Sequence, residues 1–282
     1  MSYDNKNDYF HRIQQSIDFI ELNIKSDITL DDIAAQTYFS KYHFQRIFLA
    51  IVGETPFDYT RKRRMTMAAE EINEHGLCVT FSAGVPGSNP KEYGFKFWAV
   101  IRTILDSLKT VKESIDFINN VPISDNINLI ITDKNGEAAL VEVACSKKSI
   151  EQVNSNTIEK YLCATNHYTL PEMIQYDINR KWHSVTRHNI TKERLDMAIP
   201  CINKSTIRNI HSDTIPEGAC CHYYSKGFGT LWSMIFDITA VNVEICFGSP
   251  KENDWIVFGM DDPIGITKYK AKLPYETADS MI

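Results

Sequence analysis

The first seventy residues space their apolar side chains for helices. Phe10, Ile13, Ile17, Ile20 and Ile24 recur at intervals of three and four, which lines one face of a first helix. The polar residues ahead of it, up to about Lys6, are expected to fray. Thr29-Leu30-Asp31-Asp32 places a hydroxyl three residues before a carboxylate, the pattern of a capping box, and predicts a short helix from Leu30 to about Gln36 with Ile33 and Ala34 inward. Tyr38-Phe39 makes a turn. Ser40 is then the expected N-cap of a helix, its hydroxyl accepting from the free N–H groups of the first turn. In that helix Phe44, Ile47, Phe48 and Ile51 form an apolar face, while Lys41, Tyr42, Gln45 and Arg46 point away from it. Gly53 suits a left-handed C-cap. Thr55-Pro56-Phe57-Asp58 supplies a cap, a proline at the first helical position and an acid three residues after the cap. The helix it starts is predicted to run to about Glu71 and carries Arg61, Lys62, Arg63 and Arg64.

The pattern changes at Asn73. A Gly/Pro/Ser-rich loop, Ser82 to Gly94, precedes two amphipathic helices, Phe97 to Leu108 and Val111 to about Asn119, the second capped by Thr110 with Glu113 at the third position. Asn128–Thr132 and Ala138–Val143 read as strands joined by the hairpin turn Asp133-Lys134-Asn135-Gly136. Strand-like runs follow at Tyr161–Thr165, Thr230–Phe236, Val243–Phe247 and Trp255–Phe258. Antiparallel strands with helices outside predict an α+β layered domain.

A length of 282 residues gives room for two domains, and 43% apolar with 23% charged residues are globular values. Net charge of −6 argues against a uniformly basic surface, but Lys41, Arg46 and the Arg61–Arg64 run form a local cationic patch. A polar, cationic helix face beside a basic helix start is what a major groove and its phosphates require. The bland alternative is a small helical bundle without a DNA role. The seven cysteines have no CxxC spacing, and the sequence shows no signal segment and no long apolar run, so a reduced cytoplasmic protein with no membrane contact is expected. His167, His183, His188, His211 and His222 lack metal-ligand spacing; neither metal nor cofactor is expected.

Residues from about Phe10 to Ala69 resemble the DNA-binding domain of AraC/XylS transcription regulators. Leu30, Ile33, Ala34, Ser40, Phe44, Arg46, Phe48, Gly53, Pro56, Tyr59, Arg64 and Ala68–Ala69 carry the resemblance. It implies that the Ser40 helix enters the major groove of double-stranded DNA. Tyr42, Gln45 and Arg46 then face base edges, where Gln to adenine and Arg to guanine are each worth about 1–3 kcal/mol of discrimination. Lys41, Thr55, Arg61, Arg63 and Arg64 face phosphates. The family has two helix-turn-helix units joined by a long helix, and nothing after Ile72 resembles the second.

The remainder resembles the linear amide C–N hydrolases, the penicillin acyltransferase and choloylglycine hydrolase group of N-terminal-nucleophile enzymes. The matching stretches are Asn73-Glu74-x-Gly76-Leu77, the helix pair ending in Pro122, Asp133-x-x-Gly136 with Glu142, Thr165-Asn166-His167-Tyr168, Ser184-Val185-Thr186-Arg187, and Gly229-Thr230-Leu231-Trp232-Ser233. The resemblance implies an N-terminal cysteine nucleophile whose α-amine serves as base. It also implies Asn73 and Asn166 as polar groups at the substrate, with Arg187 ordering the site. Met1-Ser2-Tyr3 offers no such cysteine, and Cys78, Cys145 and Cys163 read as small buried hydrophobes.

The sequence therefore predicts an all-α helix-turn-helix unit, residues 1–71, followed by an α+β domain, residues 72–282, resembling part of the αββα N-terminal-nucleophile hydrolase fold. The expected function is DNA-binding transcriptional regulation, with the second domain a non-catalytic sensor of a small amide or acyl ligand, or a homo-oligomerising module. The alternative is an amide hydrolase or acyltransferase.

Overall fold

The computed structural model describes residues 3–23, 28–53, 55–60, 71–84, 93–144, 147–154, 156–157, 161–224, 228–259 and 270–274. Contacts divide the chain into two compact units, which separate at Ala68–Ala69.

The first unit is helical. Helix α1 spans Tyr3–Leu22, α2 Leu30–Ala35 and α3 Lys41–Val52, and residues 56–60 are helical as well. Helix α1 begins at Tyr3, within the polar stretch expected to fray. Ile13, Ile20, Ile33, Ala34, Phe44 and Phe48 form the core, with Ile17, Phe39, Ile47, Ile51 and Tyr59 packed at its margin. Phe10, read from the sequence as part of the buried stripe, is instead exposed. Thr29 and Asp32 form the expected capping box: Asp32 N–H donates to Thr29 Oγ1 at 3.2 Å and Thr29 N–H to Asp32 Oδ2 at 2.8 Å. Ser40 stands at the N-cap of α3 but its hydroxyl makes no capping bond. Gly53 closes α3 at φ 86°, in the left-handed region where a Cβ is costly. Thr55 caps the next helix, accepting from Asp58 N–H at 3.1 Å. The expected continuation through Arg61–Arg64 lies outside the described residues. It cannot reach Glu71, which is already strand.

The second unit mixes helix and sheet. Strands β1 (Glu71–Ile72), β2 (Cys78–Ala83), β3 (Asn126–Thr132), β4 (Ala138–Ala144) and β5 (Lys147–Val153) form one antiparallel sheet in sequential order. Helices α4 (Phe97–Ser107) and α5 (Val111–Asn120) supply one side of its main core. Alternation decides which strand residues join them: Val79 and Phe81, Ile127, Leu129 and Ile131, and Ala139, Val141 and Val143 pack with Val100, Ile101, Ile104 and Ile118. The β3–β4 hairpin turns at Gly136 with φ 82°, as the sequence predicted. Asp133 in that turn is buried and accepts from Val111 N–H at 2.9 Å, fixing a carboxylate at the start of α5.

The opposite face of the sheet carries a polar row. Register places Ser82 opposite Asn128, Asn128 opposite Glu142, and Glu142 opposite Ser149. This row holds the backbone that crosses it. Ser82 Oγ donates to Thr165 O at 2.6 Å, and Asn128 Nδ2 donates to Thr165 O and His167 O at 2.7 and 3.0 Å. Glu142 accepts from the N–H groups of Thr169 and Leu170 at 2.7 and 3.1 Å. Tyr161–Thr165, read from the sequence as a strand, is in no strand among the described residues; at its end Thr165 O is held by the Ser82 and Asn128 side chains rather than by a ladder.

Helices α6 (Trp182–Ala198) and α7 (Lys204–Ser212) pack on each other. The short strands β6 (His222–Tyr223) and β7 (Phe228–Gly229) pair with each other. Strands β8 (Trp232–Asp237), β9 (Asn242–Phe247) and β10 (Trp255–Gly259) form a second antiparallel sheet in the order β10-β9-β8. Helix α7 packs on β8, and its Lys204 bridges Asp237 at 2.9 Å and Glu244 at 3.2 Å. Arg208 pairs with Glu244 and lies over the Trp255 ring.

Candidate functional site

Two surfaces carry the chemistry, one in each unit. In the helical unit, α3 turns Tyr42, Gln45, Arg46 and Leu49 outward along one stripe, because Phe44, Ile47 and Phe48 take the inward positions. Tyr42 is 80% exposed, an aromatic ring with nothing to bury it in the free unit. Lys41 is engaged in a 2.8 Å ion pair with Asp31 of α2, so its charge is shared rather than free. The Thr55 hydroxyl serves its own helix, donating to Asp58 Oδ2 at 2.7 Å. Arg61, Arg63 and Arg64 lie outside the described residues.

In the second unit a cavity of about 540 Å³ lies against β2, β3 and β8. Its walls include Thr80, Phe81 and Ser82, Asn128 and Ile130, Arg187, His211, and the run from Gly229 to Met234 with Phe236. Arg187 comes from α6. Its guanidinium donates to Asn166 Oδ1 at 2.8 Å and to His183 O at 3.2 Å. Asn166 in turn donates to Ala83 O at 3.0 Å, which ties the arginine to the end of β2. Burial pulls the Arg187 pKa below its ordinary value, and the thiols of Cys221 and Cys163 partly offset this. No carboxylate partner for Arg187 exists among the described residues. Asn128 also lines the wall, and its Oδ1 is a buried acceptor with no hydrogen-bond partner among the described residues. Leaving such a group unpaired costs about 1–3 kcal/mol.

Behind Arg187 sits a compact polar knot. The Thr165 hydroxyl donates to Ser184 O at 3.1 Å, and the Ser184 hydroxyl lies 2.9 Å from His167 Nδ1. The rings of His167 and His188 meet edge to face at 5.3 Å. Burial, then the nearby His188 and Arg180, push the His167 pKa down to about 4, so the ring is neutral at pH 7. The His183 and Phe228 rings meet tilted at 46°, with centroids 4.5 Å apart.

The structure brings Asn166 and Arg187 together and leaves Asn73 elsewhere. The expectation that Asn73 reaches the pocket is corrected by its contacts. Its Nδ2 donates to Leu105 O and Leu108 O at the end of α4, at 3.0 and 2.9 Å. Its Oδ1 accepts from His75 and Leu77 N–H, each at 3.0 Å. Two donors and two acceptor positions are all used, so this side chain fastens the β1–β2 turn to a helix end. Cys78 is buried in β2. Burial pushes the thiols of Cys163 and Cys246 up to about 11, leaving them protonated and unreactive. Among the described residues no cluster of His, Cys, Asp and Glu could hold a metal ion. Asn128 and the residues of β8 were not singled out in the sequence as cavity-lining; the cavity's shape depends on two sheets that are far apart in the chain.

These features define an α+β protein with a walled cavity, joined to a separate helical unit. Residues 46–252 match the family model of acyl-coenzyme A:6-aminopenicillanic acid acyl-transferase, and the chain belongs to that family. A segment of 81 residues, 28% of this chain, is 37% identical to the HTH-type transcriptional activator AarP of Providencia stuartii and covers 60% of it. Another match of 84 residues, 30% of this chain, is 30% identical to the multiple antibiotic resistance protein MarA of Escherichia coli (strain K12), covering 61% of that protein. The chain thus spans about three-fifths of the length of these two relatives. Among solved structures, the penicillin V acylase from Agrobacterium tumefaciens aligns with 68% of this chain and 66% of its own, at 17% identity and a TM-score of 0.41. A variant of the conjugated bile acid hydrolase from Clostridium perfringens aligns with 75% and 80%, at 15% identity and a TM-score of 0.48. Among the described residues no helix is long and apolar enough to cross a membrane.

Proposed function

We propose that the protein is a sequence-specific DNA-binding transcriptional regulator of AraC type, with α3 as the reading helix and the acyl-transferase-family unit as a sensor that binds an amide or acyl compound without cleaving it. The observation that carries this reading is the outward stripe Tyr42, Gln45 and Arg46 on a helix whose opposite face is locked into a core. Similarity to AarP and MarA over a segment supports it. The test is a fluorescence anisotropy titration of the full chain against a duplex library at low and raised salt. Affinity is expected to fall steeply with salt. Gln45→Ala and Arg46→Ala are expected to flatten sequence preference, and Arg63→Ala to weaken all sequences alike. Absence of any binding at low salt rejects the proposal.

For the sensor, Arg187 supplies a planar fork suited to a carboxylate, and Asn166 holds that fork at the cavity. A carboxylate-bearing amide is therefore the ligand class. A hundredfold excess over Kd should stabilise the protein by about 2.7 kcal/mol, read as a raised Tm. Family membership favours a second reading, amide hydrolysis or acyl transfer. Product release that survives Cys78→Ala and disappears with Asn166→Ala would establish the enzyme instead.

A further inference from the structure

Arg187 and His211 are the basic side chains of the cavity wall, and no carboxylate lines it among the described residues. Arg187 is tied to the first sheet, because Asn166 holds it and in turn donates to Ala83 O at the end of β2. His211 sits in the last turn of α7 against the second sheet. Its ring meets that of Trp255 in β10 edge to face, with centroids 6.5 Å apart. The cavity thus has one basic group held from each sheet. Ile130 of β3 and Met234 and Phe236 of β8 add apolar surface to the same wall.

The two groups are engaged differently. Arg187 spends Nε on His183 O and Nη2 on Asn166 Oδ1, which leaves Nη1 without a hydrogen bond among the described residues. His211 spends neither ring nitrogen on a hydrogen bond among the described residues, and it is half-buried where it lines the cavity. Burial pulls its pKa below the ordinary value, so the ring is neutral at pH 7. A neutral imidazole presents one N–H donor and one bare acceptor nitrogen.

From this arrangement we infer that His211 is a specificity-determining contact of the cavity: it pairs with a hydroxyl on an acyl amide whose single carboxylate meets Arg187. The inference rests on the sensor reading above and narrows the ligand of that site. A hydroxyl both donates and accepts, so it pairs with the His211 ring in either tautomer. A wholly apolar acyl chain would strip water from the ring nitrogens and return no hydrogen bond. A second carboxylate at His211 would be best served by a protonated ring, in a place where burial opposes the charge. The apolar wall around Ile130, Met234 and Phe236 suits the hydrocarbon that carries the two polar ends.

The test uses the full chain and glycine amides of fatty acids over a series of chain lengths. The far end of each chain is a methyl, a hydroxyl or a carboxylate group. Calorimetry and thermal shift are the readouts. At the best-fitting length the hydroxyl form is expected to bind about tenfold more tightly than the methyl and dicarboxylate forms. His211→Phe keeps a ring against Trp255 and removes both nitrogens. It is expected to bind the methyl form at least as well and to lose the preference for the hydroxyl. His211→Asn, which retains a donor and an acceptor, is expected to keep part of that preference. Arg187→Gln is expected to weaken the hydroxyl and methyl forms alike. A hydroxyl preference that survives His211→Phe overturns the inference. The unaltered chain decides the matter even where that variant fails to fold. Equal binding of the hydroxyl and methyl forms, or tightest binding of the dicarboxylate, overturns the inference and leaves the sensor reading intact. Binding of none of the three forms overturns both.

Discussion

At Asn73 the carboxamide is saturated by four backbone groups, and at Asn166 it joins Ala83 O to Arg187. The same residue type thus yields opposite expectations. Asn73→Ala strands buried carbonyls of α4 and N–H groups of the β1–β2 turn, and should cost on the order of 3 kcal/mol in urea denaturation of the full chain. Asn166→Ala should cost clearly less stability but lower the affinity for any carboxylate ligand, because Arg187 loses its anchor. If the two losses of stability are equal, Asn73 is not the fastener described here. His167 gives a pH prediction. In the unfolded chain it titrates near 6.5, and in the folded chain at about 4. As pH falls the unfolded state therefore binds its proton first, and the stability present above pH 6.5 is lost progressively down to about 4. His183 and His188, also shifted down by burial, add in the same direction. Urea midpoints measured between pH 7 and 4 should fall, and His167→Gln should flatten the slope.

At the scale of elements, caps separate helices that look alike in sequence. Thr29 and Ser40 both occupy N-cap positions, yet only Thr29 makes the side-chain bond and receives one back from Asp32. Hydrogen bonding to Thr29 holds the Asp32 pKa below its ordinary value, consistent with a carboxylate that caps while ionised. Thr29→Ala is expected to cost about 1 kcal/mol and Ser40→Ala only a few tenths, read from thermal melts. The reverse order would show that Ser40 caps in solution. Strands β3 and β4 were legible as apolar runs closed by a glycine turn, whereas β2 was not: Ser82, read as the start of a loop, lies within it. The polar row Ser82–Asn128–Glu142–Ser149 was not legible either, because its members are separate in the chain and meet only through register. Tyr161–Thr165 looks like a strand because the run is apolar, but its Thr165 carbonyl meets the side chains of Ser82 and Asn128 instead of a ladder.

Over the whole molecule, each unit has its own buried cluster, Phe44 and Phe48 in one and the residues between α4, α5 and the first sheet in the other. Phe44→Ala removes a fully buried ring and should cost about 3–5 kcal/mol, enough to melt a small unit. Circular dichroism should then show loss of helix at low temperature while the sheet-containing unit keeps its own transition; a single unchanged transition would show that Phe44 is not core. Periodicity, caps and turn residues act over a few positions, so the helices α1 to α5, the β3–β4 hairpin, the Gly53 stop and the outward face of α3 could be read along the chain. The sequence also carried the resemblance to two families in one chain. Tertiary structure alone decided that Asn73 is a fastener and that Asn166 meets Arg187. It alone buried the Asn128 oxygen with no hydrogen-bond partner among the described residues. Such facts depend on register and on which backbone groups are already satisfied, and neither quantity is written in the spacing of residues along the chain.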